Sequence, residues 1–344
     1  MPRPLDERYS RQVLFRPFGE AGQARLRAAR VLVAGCGGLG AESASLLARA
    51  GVGFLRIVDR DVVELSNLPR QALFDEADVR EGLPKAVAAA RRIARVNAEV
   101  AVEPVVADVG PGNVRGLLEG IDLVVDGFDS FEARFLLNDA CVEKGTPLVY
   151  GACIGSTGLA ALLVPGRTPC LRCLLPDLPE PGASPTCDTA GILGPAAHLA
   201  ASMQAGRALR YLATGEAPAE AELVHADVWD GRFSRTVVPY RPDENRCPCC
   251  VERRFDFLSV ETPLATALCG RDSVQVRPLV PARPDFASLA ERLRPLGEVL
   301  ANDYLLRFRT DEVELTLFSD GRALVKGTHD PSRARSLVAR TFGV

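Results

Sequence analysis

The chain has 344 residues, 47% of them hydrophobic and 25% charged, with a formal net charge of −3. That length suits one large α/β domain with an appendage, and the charge gives no general electrostatic reason to bind nucleic acid or an anionic membrane. Met1 to Gln12 carries Arg3, Asp6, Glu7, Arg8 and Arg11 with no apolar core, so it does not read as a signal peptide, and no apolar run approaches the roughly 18–20 residues of a membrane helix; a cytoplasmic protein is the expectation.

Leu5 to Ala29 is polar and helical in parts, with Arg8-Tyr9-Ser10-Arg11-Gln12 ahead of the first strand. The apolar run Val31 to Ala34 then enters Gly35-Cys36-Gly37-Gly38-Leu39-Gly40. An alanine- and leucine-rich helix follows to Gly51, and Phe54 to Asp59 completes a β-α-β unit. The spacing gives the glycines separate roles. Gly35 permits the tight turn, Gly37 lets the backbone approach a phosphate, and Gly40 allows the helix to pack closely on the strand. Gly38 belongs to the same cradle, where the helix N-terminus offers N–H groups to an anion. Asp59 ends the second strand where a ribose hydroxyl would lie. This fingerprint alone describes a nicotinamide dehydrogenase as well as any other nucleotide enzyme.

A polar loop follows, Arg60-Asp61-Val62-Val63-Glu64-Leu65-Ser66-Asn67-Leu68-Pro69-Arg70-Gln71, where a dehydrogenase would begin its next helix promptly. Pro84 starts a helix that carries Lys85 and runs to Val96. Val100 to Val106, Ile121 to Asp126 and Pro147 to Gly151 read as strands and Phe131 to Lys144 as a helix. This alternation predicts a Rossmann-like, doubly wound, mainly parallel sheet. Gly158 to Val164 is a further strand, and Leu174 to Pro185 is too rich in proline for regular structure and reads as a mobile crossover loop. Pro195 to Ala213 is a long helix; Leu223 to Asp227 and Arg232 to Tyr240 are strands. Beyond residue 252, four strands (Ser273 to Arg277, Leu305 to Thr310, Glu312 to Phe318, Ala323 to Gly327) and two helices (Asp285 to Leu293, Pro331 to Phe342) predict a small C-terminal α+β domain, 253–344, of unassigned role. Residues 1–252 form the nucleotide-binding domain.

Phosphoryl chemistry requires cations aimed at the developing charge and a carboxylate to hold magnesium. Arg70, Lys85 and Asp129 each fall just beyond a predicted strand or at a helix start, the edge where ligands of doubly wound sheets bind. With Asp59, Asp61 and Asn67 they favour ATP over a nicotinamide. Ten cysteines without an export signal point to metal or catalysis rather than disulfides. Cys170-x-x-Cys173 and Cys247-Pro248-Cys249-Cys250 read as two hooks of a closed, structural zinc site with four cysteine ligands. Cys250 is the expected fourth ligand, since Cys247-x-Cys249 is too tight for the usual hook, and Cys249 is the alternative. Cys36, Cys141 and Cys153 read as small buried residues.

The ordered motifs Arg8 to Gln12, Gly35 to Gly40, Asp59-Arg60-Asp61, Ser66 to Gln71, Gly82-Leu83-Pro84-Lys85 and Asp126-Gly127-Phe128-Asp129 resemble the ubiquitin-activating-enzyme superfamily. Within it they are most similar to the bacterial adenylyltransferases of sulfur-carrier proteins, the molybdopterin-synthase and thiamine-biosynthesis types. The resemblance runs from about Arg8 to Cys250. It implies an ATP-binding homodimer that adenylates the C-terminal glycine carboxylate of a small ubiquitin-fold carrier ending in Gly-Gly. Pyrophosphate leaves, and the product feeds sulfur transfer in cofactor biosynthesis or tRNA thiolation, with a sulfurtransferase or cysteine desulfurase as a further partner. By motif position Asp59 would bind the ribose hydroxyls, Asn67, Arg70 and Lys85 the triphosphate, and Asp129 magnesium (Mg2+). Arg11 would reach the γ-phosphate in the neighbouring subunit. Cys187, in Pro185-Thr186-Cys187-Asp188, holds the family position for a covalent link to the carrier, although adenylylation does not require it and Asp188 would raise its pKa. Ser130 follows Asp129 where the family usually has asparagine. Two other readings stay open: the same activation applied to a peptide or a modified tRNA nucleoside, and a zinc-bearing (Zn2+) nucleotide-binding scaffold without turnover.

Overall fold

A computed structural model describes residues 7–178, 190–242, 244, 246–260, 265–267, 273–278 and 284–343. The chain divides into two compact units, Met1–Val260 and Glu261–Val344. The first is built on eight strands: β1 (Arg30–Ala34), β2 (Phe54–Asp59), β3 (Ala101–Val106), β4 (Leu123–Asp126), β5 (Leu148–Ile154), β6 (Thr157–Leu163), β7 (Ala221–Asp227) and β8 (Arg232–Val238). Their order is β3-β2-β1-β4-β5-β6-β7-β8. The first five are parallel, and β6, β7 and β8 continue antiparallel.

The helices of this unit are α1 (Ser10–Val13), α2 (Gly19–Ala28), α3 (Gly38–Ala50), α4 (Glu76–Glu81), α5 (Lys85–Val96), α6 (Val114–Leu117), α7 (Phe131–Lys144), α8 (Leu171–Leu174) and α9 (Gly194–Thr214). Alternate residues of β1 serve opposite faces. Val31 and Val33 pack with Leu47 of α3, Ile93 of α5 and Leu212 of α9. Leu32 and Ala34 pack with Val114 of α6 and Phe135 and Leu137 of α7. A central strand covered on both sides must be apolar throughout, which is why β1 and β4 read as unbroken hydrophobic runs. The sheet is therefore doubly wound, as the alternation predicts. Strand order reverses between β1 and β4, and the crevice beyond their carboxyl ends is where such sheets bind ligands.

Residues 253–260, expected in the appendage, stay with the first unit. Leu258 is buried in its core, the Phe257 ring lies 5.1 Å from that of Phe135, and the Phe257 N–H donates to Asp139. Those contacts join segments far apart in sequence and leave no local signature.

The second unit has strands β9 (Ala265–Ala267), β10 (Ser273–Val276), β11 (Glu298–Ala301), β12 (Leu305–Arg309), β13 (Glu314–Phe318) and β14 (Ala323–Lys326), with helices α10 (Phe286–Leu293) and α11 (Pro331–Phe342). They form one antiparallel sheet ordered β11-β12-β13-β14-β10-β9. Val274, Leu306, Leu315 and Val325 pack against Leu293 of α10 and Val338 of α11. Asp285 and Asp330 cap the two helices through their side chains. The sequence reading misses β9, only three residues long, and β11, which has no fully buried position to create an alternating pattern. Among the described residues no helix is long and apolar enough to cross a membrane.

Candidate active site

At the carboxyl end of β1 the chain turns through Gly35, whose φ of +88° lies in the left-handed region. A Cβ there would stand 2.8 Å from the Gly127 carbonyl, and one on Gly40 would collide with the Gly35 carbonyl oxygen. Gly35, Gly40 and Gly127 are thus required by packing. Gly37 differs: a Cβ would meet nothing closer than the Gln71 Nε2 at 3.9 Å. Its small size leaves open space in front of the α3 N-terminus, which carries no side-chain cap. A helix start with uncapped N–H groups and a clear approach is an anion site. Gly38 closes the cradle, its Cα side facing Ala197 of α9 and the Arg70 backbone.

Asp59, at the end of β2, accepts the Cys36 N–H at 2.6 Å and the Asp61 N–H at 2.7 Å. The carboxylate keeps lone pairs for further donors, as two ribose hydroxyls would supply. Burial raises its pKa, and Lys85 opposes that. Cys36 is fully buried, its thiol pushed above the ordinary range by burial and by Asp59, so it is inert packing within the turn.

Lys85 is the first residue of α5, set by Pro84 at the cap. It is 3% exposed and its Nζ lies 3.2 Å from Asp61 Oδ2. Asp61 also lies near Arg60, which pairs in turn with Asp108 at 3.2 Å. Asn67 is buried, and its Oδ1 accepts the Glu64 N–H, which shapes the loop between β2 and α4. Arg70 is held over that loop by a 2.7 Å bond from its Nη1 to the Ser66 carbonyl. Its side chain runs alongside Gly38.

Asp129 is exposed in the turn after β4. Beneath it, Asp126 accepts the Phe128 N–H and lies 3.5 Å from the Arg134 guanidinium, which donates to the carbonyls of Phe128 and Gly151. Burial pushes the Asp126 carboxyl up to about 6, against the pull of Arg134. Gln204 of α9 donates to the carbonyls of Asp126 and Val149, and occupies the space that a side chain on Gly151 would need. Sequence reasoning misses Gln204, because a buried helix glutamine carries no local motif.

Arg11 is not at this crevice. Gln12 donates to the Ala50 carbonyl, and Asn97 bonds both Tyr9 and the Ala48 carbonyl, so residues 9–12 are fastened to the far end of α3. Ala50 lies twelve residue steps along the helix from Gly38, about 18 Å at 1.5 Å per residue. Arg11 is exposed there. Cys187 and most of the crossover loop lie outside the described residues.

The second cluster is separate. The sulfurs of Cys170, Cys173, Cys247 and Cys250 all lie within 4.8 Å of one another, with 3.9 Å between Cys170 and Cys173, 3.6 Å between Cys170 and Cys247, and 3.4 Å between Cys173 and Cys250. Four thiolates at 2.3 Å from a tetrahedral ion stand roughly 3.8 Å apart, so this donor set fits zinc. Cys249 lies outside that four-sulfur group: its buried Sγ accepts from Asn138 Nδ2 at 3.3 Å. Asn138 Oδ1 accepts the Leu171 N–H in the first hook, so one side chain of α7 ties both hooks together.

The sequence pattern of the ThiF family matches residues 9–249. The chain belongs to the ThiF family. It is 46% identical over 338 residues to the sulfur carrier protein ThiS adenylyltransferase of Bacillus subtilis, covering 98% of this chain and 99% of that one. It is 44% identical over 252 residues to the SAMP-activating enzyme E1 of Haloferax volcanii, covering 73% and 91%. Among solved structures it shares its fold with E. coli MccB crystallised with ATP, at a TM-score of 0.61 and 22% identity, covering 72% of this chain and 75% of that one.

Proposed function

We propose that this ThiF-family chain adenylates the C-terminal glycine carboxylate of a small sulfur-carrier protein with ATP. One observation carries the reading: an uncapped, unobstructed helix N-terminus at the topological switch point, flanked by the ribose-type carboxylate Asp59, the cations Lys85 and Arg70, and Asp129. A hydride carrier calls for no such set of phosphate partners.

In this reading the carrier carboxylate attacks the α-phosphorus of ATP, the bond to the β-phosphate bridging oxygen breaks, and pyrophosphate leaves with that electron pair. The carboxylate is ionised at neutral pH, so no general base is required. Asp59 fixes the ribose, Lys85 and Arg70 offset charge on the departing pyrophosphate, and the α3 N-terminus orients the phosphates. Asn67 holds the loop that presents Arg70. Asp129 would hold magnesium, which supplies further neutralisation of phosphate charge. Arg11, about one helix length from its own crevice, serves the partner subunit of a homodimer. The four cysteines would hold a structural zinc, whose reduced thiolates suit the cytoplasm. Cys187 is a candidate for later covalent capture of the acyl group, and a sulfurtransferase or cysteine desulfurase would supply the sulfur.

The test is ATP–pyrophosphate exchange with β-grasp carriers ending in Gly-Gly. Exchange should depend on the carrier and vanish in Lys85→Ala and Arg70→Ala chains that remain folded. No exchange above background with any such carrier would sink the substrate assignment.

A further inference from the structure

Gln71 is 3% exposed, and its buried Oε1 has no hydrogen-bond partner among the described residues. The other end of the same amide, Nε2, hangs over the glycine turn, 3.9 Å from where a Cβ on Gly37 would stand. Its polar neighbours are provided for: Asp59 accepts two backbone N–H groups, Asn67 accepts the Glu64 N–H, and Arg70 donates to the Ser66 carbonyl. A buried amide left unpaired costs free energy that folding alone does not recover, and such groups mark places completed by a ligand. The glycine turn beside it is open, since Gly37 packs against nothing closer.

We propose that Gln71 is a ligand-contacting residue of the nucleotide site, its amide donating to a phosphate oxygen held at the Gly35–Gly40 turn. The Nε2 end already faces that turn, so it can donate to a phosphate oxygen there with no reversal of the amide. The inference rests on the ATP reading above and adds a residue to it. Gln71 thus reads the phosphates through its donor end: Nε2 gains an acceptor when they are in place.

The substitution Gln71→Leu removes both polar atoms at similar volume, so stability and affinity should move in opposite directions. The ligand-free chain should melt about 2 °C or more higher, because the unpaired amide is gone. Its Kd for ATP, measured by calorimetry, should rise about tenfold or more, while competition by adenosine, which lacks phosphates, should be unchanged. Gln71→Glu keeps the shape and sets a negative charge against the phosphates, and its ATP affinity should fall below that of Gln71→Leu. A purely structural glutamine would instead give a lower melting temperature with the ATP Kd unaltered, which would overturn the proposal. Equal weakening toward ATP and adenosine would also overturn it, by assigning the contact to the nucleoside. Absence of ATP binding by the unmutated chain would remove the nucleotide reading and this one with it, a result distinct from a Gln71→Leu chain that binds as the parent does.

Discussion

The most direct test of the glycine turn is Gly37→Ala, because the structure separates its effect on folding from its effect on binding. A methyl group at Gly37 would stand 3.9 Å from Gln71 Nε2 and 4.0 Å from the Gly127 oxygen, ordinary van der Waals contact, and the residue's φ is −85°. Alanine is a poorer helix cap than glycine by roughly 0.5–1 kcal/mol. The loss of unfolded-chain entropy returns about 0.4–1 kcal/mol. The net change should stay within about 1 kcal/mol, or roughly 2–4 °C in melting temperature. Binding should suffer far more, because the methyl occupies the approach to the α3 N-terminus. Two charge-assisted backbone contacts at about 1.5–3 kcal/mol each give a loss of at least about 3 kcal/mol, near 100-fold in Kd. Saturating ATP at about 100 times the parent Kd should stabilise the parent by about 2.7 kcal/mol, and the same concentration should stabilise the variant by only about 0.4 kcal/mol. Thermal melts with and without ATP measure both quantities. A Gly37→Ala chain that melts near the parent yet keeps its full ATP shift would refute the idea that this glycine exists for the ligand. Gly40→Ala is the control, since its methyl would collide with the Gly35 carbonyl and should prevent the turn from forming.

Cys250→Ser should abolish stoichiometric zinc while Cys249→Ser retains it, measured by metal analysis; equal metal in both chains would contradict the four-sulfur assignment. If Arg11 acts across a dimer, mixing Arg11→Ala with Lys85→Ala chains should restore about a quarter of the parent exchange rate, one intact site in half of randomly paired dimers. No recovery in subunits shown to exchange would argue against trans action. Burial raises the Asp126 carboxyl from 3.8 to about 6, which at about 1.36 kcal/mol per unit amounts to roughly 3 kcal/mol. Because the folded state binds this proton more tightly, the contribution is fully present below about pH 3.8 and is lost as pH rises through about 6. Denaturant titrations at pH 5 and pH 7.5 should therefore show the parent losing stability relative to Asp126→Asn, and parallel profiles would exclude Asp126 as the source.

The β-α-β unit and the paired cysteine hooks are legible in the sequence for one physical reason: their information is local. A strand buried on both faces must be apolar throughout, as Val31 to Ala34 is, and a turn at φ +88° admits only glycine at Gly35 without strain. Hook spacing likewise fixes which sulfurs can approach one ion. Tertiary structure decides everything that depends on distant contacts. It gives Cys249 to Asn138 and Cys250 to the four-sulfur cluster. It keeps residues 253–260 with the first unit through Phe257 and Leu258, and it fastens the Arg11 segment to the far end of α3. Gln71 is the clearest case. In sequence it is one polar residue in a polar loop, and only packing reveals that its amide is buried beside Gly37 with its oxygen unpaired, because hydrogen-bond satisfaction is a property of the folded surroundings and not of the chain.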